Sequence, residues 1–168
     1  MKHLLLALLC LPMFGNAQSV SATSTANDPC SGFKREVDEF TDEVIIRTPI
    51  FDEQGLSPIV VFKTIKNGKE SYDMRLGTVG STVSLNKTGV IVLFDDGTKW
   101  NKPDAEVDVD VSEQGFDYNS YVRLDESDMA LFSNKKVKKF RLYIYDEEVS
   151  PGFANRFVSY VNCLKALE

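Results

Sequence analysis

Asn67 and Gly68 stand between two strand-like runs, "PIVVFKTIK" and "KESYDMRLGT". A two-residue type I′ turn needs positive φ at both central positions, which Asn-Gly adopts with little strain, so the pair predicts a tight antiparallel hairpin. A hairpin in the first half of a chain commits its neighbours to a sheet, because two strands alone are marginal in water. The remaining sequence offers those neighbours. "EVIIRT", halted by Pro49, predicts a first strand; "STVSL" and "GVIVLF" follow the hairpin, and "DDG" at 95–97 predicts a turn into "TKW". In "AEVDVDV", Val107, Val109 and Val111 alternate with Glu106, Asp108 and Asp110, the period-2 signature of a strand with one face buried. "YVRL" and "KKFRLYIY" complete the set. The lysines of "KKVKK" are read as guarding a sheet edge rather than as a nucleic-acid patch.

Helical signals are confined to two places. Asp125 predicts the N-cap of a short helix over "DESDMALF", with Asp128 near its positive end. Ser150 precedes Pro151, which suits the first helical position, and Phe153, Phe157, Val161 and Leu164 then share one stripe. An apolar stripe must be covered, and a sheet face is the available cover. The expected fold is therefore α+β: a predominantly antiparallel sheet, as a sandwich or partly open barrel, with one short helix and a packed C-terminal helix.

The order "DEFTDEV", "VIVLFDDGTKW", a short acidic helix, "KKVKKFRLYIYDEEV" and a terminal helix resembles small exported bacterial β-rich domains. The resemblance implies a single β-rich domain and transfers no functional residue.

The N-terminus points to export independently. Lys2 and His3 precede the apolar run "LLLALLCLPMF", and Gly15 and Ala17 supply small residues before Gln18, as a signal peptidase requires. The run has 11 residues, whereas a helix needs about 20 to span a bilayer core, so residues 1–17 are read as a signal peptide rather than an anchor. Residues 18–29 are Ser/Thr/Ala-rich and expected to be a flexible leader, leaving 30–168 as one β-rich domain. Cleavage removes Cys10 and leaves Cys30 and Cys163, near the two ends of that domain. In an oxidising compartment such a pair is most simply a disulfide. The expected location is periplasmic, cell-surface or extracellular, with no transmembrane segment after cleavage.

Cleavage also removes His3, the only histidine. Serine or cysteine nucleophiles activated by histidine are then excluded, and zinc loses its commonest nitrogen ligand. "SLNKTG" holds Ser84-x-x-Lys87 and Lys87-Thr88-Gly89, both found in penicillin-binding enzymes, but one lysine would have to serve in both elements, and a strand end with a turn is the better reading. A net charge of −6 argues against nucleic acid, and no phosphate-binding glycine motif is present.

Two candidate sites remain. Asp108, Asp110, Glu113 and Asp117 are the candidate ligands of a calcium ion, the one cofactor the sequence offers. An EF-hand frame begun at Asp108 fails, since Glu113 falls at its sixth position and Asn119 at its twelfth, and the rival reading is the polar face of a strand. Trp100, Phe116, Tyr118 and Tyr121 are the candidate aromatic binding patch, set against a role in the core. The leading functional expectation is an exported, non-catalytic domain that binds a protein, glycan or envelope component. A small hydrolase using Asp/Glu pairs and a β-barrel carrier of an apolar ligand are the alternatives.

Overall fold

The computed structural model describes residues 30–52, 55–113 and 115–167, so the expected signal peptide and leader lie outside the described residues. In chain order the strands are β1 (Lys34–Asp38), β2 (Glu43–Arg47), β3 (Phe51–Asp52), β4 (Gly55–Leu56), β5 (Ile59–Lys66), β6 (Lys69–Gly80), β7 (Lys87–Phe94), β8 (Lys99–Ser112) and β9 (Gly115–Leu124). Helix α1 (Glu126–Asn134), β10 (Val137–Leu142), β11 (Tyr145–Glu148) and α2 (Pro151–Ala166) follow. Nine strands form one antiparallel sheet in the order β1-β2-β5-β6-β9-β8-β7-β10-β11, and β3 and β4 make a separate small hairpin. The fold is α+β, as expected.

The Asn-Gly turn joins β5 to β6 with Lys66 opposite Lys69, and both turn residues have positive φ, 52° at Asn67 and 71° at Gly68. The sheet bends at β8. Residues 99–107 of this strand pair with β7, and residues 108–112 pair with β9. Between Thr88↔Glu106 and Val90↔Lys102 the register shifts, and the extra residues on β8 include Pro103, which has no N–H to give to a ladder. Opposite this bulge Gly89 takes φ 110°, a value that disfavours any residue with a Cβ. The curl brings β11 back against β6 without a ladder between them. Thr78 Oγ1 donates to Glu147 Oε2 at 2.8 Å, and the rings of Tyr118 and Tyr145 lie 4.6 Å apart.

Inside the curl, alternate residues of the strands meet the two helices in one apolar cluster. Met74, Leu76, Val92 and Phe140 belong to it, as do Phe157, Val161 and Leu164 of α2. Phe132 of α1 links the layers, its ring 5.5 Å from Phe94, 5.1 Å from Trp100 and 6.2 Å from Phe157. Both helices begin as the sequence predicts. Asp125 caps α1 in a full capping box with Asp128, and Ser150 Oγ accepts from Phe153 N–H at 3.2 Å ahead of Pro151. At the other end of α2, Lys63 is only 1% exposed. It pairs with Glu70 Oε1 at 2.8 Å and donates to the Leu167 carbonyl, placing a cation where the helix dipole favours one.

Cys30 and Cys163 are joined, with Cα atoms 5.6 Å apart and a sequence separation of 133. In the chain-entropy account a loop of this length is worth about 4–5 kcal/mol. Among the described residues no helix is long and apolar enough to cross a membrane.

Four local expectations are corrected. Residues 81–85, "STVSL", form no strand. "KKFRLYIY" is broken by a two-residue turn at Tyr143 and Ile144, with Leu142 opposite Tyr145 and Tyr143 at φ 55°. β10 therefore pairs on both sides, and "KKVKK" guards no edge. β1, an unexpected strand, forms one edge of the sheet with all five side chains exposed, and β11 forms the other.

Candidate functional site

β5 starts at Ile59, opposite Leu76, whereas β6 continues to Gly80. The chain ahead of β5 crosses the end of this pairing, and the Gly77 N–H donates to the Pro58 carbonyl at 2.9 Å. Beyond that bond the Thr78–Gly80 end of β6 has no partner in β5, and the space left open is a cleft of about 480 Å³.

Its floor follows from strand alternation. Arg75, Gly77 and Val79 lie on the outer face of β6, and β9 sets Asn119 opposite Gly77 and Asp117 opposite Val79. Arg75 Nε donates to Asn119 Oδ1 at 2.9 Å. The guanidinium reaches there because residue 77 has no side chain: a Cβ on Gly77 would lie 2.8 Å from Arg75 Nη2 and 3.0 Å from Asn119 Oδ1. Arg75 takes part in none of the ion pairs found among the described residues.

Ser57 lines the same cleft. It is fully buried, and its Oγ has no hydrogen-bond partner among the described residues. A buried hydroxyl without a partner costs about 1–3 kcal/mol, so such atoms are uncommon and call for an explanation. Leu56 and Val79, two of the larger exposed apolar side chains, line the cleft with Pro58. Three carboxylates also line the cleft, those of Glu113, Asp117 and Glu147. Asp117 accepts from Ser112 Oγ at 3.1 Å and faces Asp110 across the β8–β9 ladder, and Glu113 lies at the hairpin end.

The four candidate calcium ligands do not converge. Among the described residues no group of three or more His, Cys, Asp or Glu side chains is arranged to hold a metal. Asp108 and Asp110 are exposed along β8, where same-face neighbours stand about 6–7 Å apart. Both line a second groove, of about 600 Å³, with Glu106 and Lys87, while Glu113 and Asp117 line the cleft.

The aromatic patch is corrected as well. Trp100 is buried against Phe132, and its Nε1 donates to Asp128 Oδ1 at 2.6 Å. Tyr118 is fully buried, with its hydroxyl donating to the Thr82 carbonyl at 2.6 Å, and Phe116 is half-buried on the same inward face. Only Tyr121 is exposed, at 60%. Odd and even positions of β9 face opposite ways, so Tyr121 cannot join the other two.

Among the described residues one carboxyl is buried, that of Asp128, and it is held in the fold by three donors. Asp128 accepts from Trp100, from Lys102 Nζ at 2.9 Å and from the Asp125 N–H at 3.3 Å. The concave side, where a carrier would keep an apolar lumen, is filled by Phe132, Phe157, Val161 and Leu164.

The cleft residues were not legible as a site in the sequence. Ser57, Arg75, Gly77 and Asn119 come from three separate segments and form no spacing motif; the only signals are an arginine and a glycine two apart in a strand. Comparison of the chain with protein families, with curated proteins and with solved structures finds no match, so the cleft is read from its own geometry.

Proposed function

We propose that this protein is an exported, non-catalytic binding domain, tied end to end by its disulfide, that takes a protein, glycan or envelope component into the cleft beside Arg75. The apolar run at the N-terminus and the Cys30–Cys163 bond support export, since such bonds persist in oxidising compartments. One observation carries the binding reading: a guanidinium, held by Asn119 in a cleft of about 480 Å³, that has no carboxylate partner among the described residues. A charged group lining a concave site supplies orientation and specificity to a ligand, and a guanidinium fixed by Asn119 loses little freedom on binding.

The test is native mass spectrometry of the mature domain after incubation with a soluble envelope extract and desalting. Wild-type protein should retain an adduct that Arg75→Met does not. Equal retention by both, or none by either, would overturn the assignment of the cleft.

A further inference from the structure

A sheet edge that shares no lining residue with the cleft is open where β8 outruns β7. Pairing with β7 ends at Lys87↔Val107, and from Asp108 to Ser112 the strand has β9 on one side and no strand on the other. Residues 81–86, which lead into β7, form no strand. Leu85 and Asn86 of that segment line a groove of about 600 Å³ together with β8 from Glu106 to Asp110. Residues of an antiparallel strand turn their N–H and C=O alternately to one neighbour and the other, so every second residue of this stretch offers both groups to the open side. Such a row is a template for another strand.

The two faces of the edge differ. Val109 lies opposite Tyr118 and Val111 opposite Phe116, so both valines stand on the inward face, where Val111 and Leu85 are well exposed. Glu106, Asp108 and Asp110 alternate with the valines on the outward face, all exposed, and Asp110 stands opposite Asp117 of β9. Like charges directly opposite one another cost stability, and none of these four carboxylates takes part in an ion pair among the described residues. Lys87, the one cation lining the groove, lies over the Tyr143 ring, 5.3 Å from its centroid. The outer strands of the sheet are different. On β1 Glu36 is paired with Lys34 and Arg47, and on β11 Asp146 and Glu148 are paired with Lys139.

These features select an occupant. A free strand edge calls for a polypeptide, whose main chain supplies affinity, and alternate side chains supply specificity. Residues opposite one another in a ladder share a face, so the acids of β8 call for cations at every second position of the added strand. A second copy of this chain is disfavoured, because the two-fold axis of an antiparallel pair would keep both rows of acids on one face. We infer that residues 108–112 accept an extended segment of a partner protein as an added strand, with lysine or arginine side chains over Asp108 and Asp110 and aliphatic ones against Val109 and Val111. The edge sets its length, about 17 Å for five residues. The inference stands apart from the reading of the cleft.

Fluorescence anisotropy of the mature, disulfide-bonded protein tests this with a labelled, end-blocked peptide, Lys-Val-Lys-Val-Lys. It should bind saturably. The block-order peptide Lys-Lys-Lys-Val-Val, of the same charge and composition, should bind at least tenfold more weakly, as should Glu-Val-Glu-Val-Glu. Asp108→Asn combined with Asp110→Asn should lose more than tenfold in affinity while the melting temperature holds or rises. Backbone N-methylation reads the ladder itself, because only alternate N–H groups of an added strand face the edge. Methylating the valine nitrogens and methylating the lysine nitrogens should therefore have unequal effects, one abolishing binding and the other leaving it within a few-fold.

Equal binding of the block-order peptide, or equal effects of the two methylations, would reduce the attraction to charge and overturn the added strand. Full affinity in the double variant would place the peptide elsewhere and overturn it too. If Lys-Val-Lys-Val-Lys shows no saturable binding, the acids only guard the edge and the inference falls.

Discussion

Asp128 and Arg75 are each held by a neighbouring side chain, and they differ in what is left over. Asp128 lies where α1 meets β8, and its two oxygens take a tryptophan N–H, a lysine ammonium and a backbone N–H. Arg75 gives one N–H to Asn119, and beside it in the same cleft lies a serine hydroxyl with nothing to bond. Lys63 follows the first pattern, closed by Glu70 and the end of α2. Burying a charge is tolerable only when it is paired and hydrogen-bonded. Where this protein meets that condition the polar group is fixing its fold; the half-buried Arg75 has one such bond, and on the proposed reading its remaining donors serve a ligand.

The contrast can be broken by substitution. The largest effect should come from Asp128→Ala, which leaves Trp100 Nε1 unbonded, removes the partner of Lys102 and opens the capping box. A loss of about 3–4 kcal/mol in urea unfolding is expected. A loss under about 1 kcal/mol would mean that the closed network contributes no more than an ordinary surface contact. Ser57→Ala should act in the opposite sense. It removes a buried hydroxyl that has no partner, so stability should stay level or rise by up to about 1 kcal/mol. A clear loss would show that the hydroxyl is bonded within the folded protein, and the distinction between the two regions would collapse.

Acid sharpens the comparison with the smallest effect. The hydrogen bonds from Lys135 and Thr98 hold the Asp96 carboxyl down to about 2, against an ordinary value near 3.8. A group whose folded value is depressed contributes stability in full above its unfolded value and loses it as pH falls through the folded one. Melting temperature should therefore decline between about pH 4 and pH 2, and Lys135→Met should flatten part of that decline. An unchanged slope in the variant would show that the exposed Lys135–Asp96 pair is screened to no effect, as surface pairs often are.

What the sequence conveyed depended on whether a local rule acted alone. Asn67-Gly68 located one hairpin because its residues demand that turn, whereas Tyr143-Ile144 makes the other against its own preference, held by strands on both sides. β1 buries nothing, so it left no periodic trace. The alternation in "AEVDVDV" placed the valines on the inner face, yet Val111 is 84% exposed there, because the strand outruns the core it lines. The cleft was illegible for a related reason. It exists because β6 is longer than β5, and relative strand length is a property of pairing that no single segment carries.

The bond between Cys30 and Cys163 also orders events in time. Its second sulfur lies in the last turns of α2, so no oxidant can close it until the sheet and most of α2 have been synthesised. Until then β1 and the segment before it hang from β2 alone. Until α2 has been made, the domain has no covalent link between its two ends.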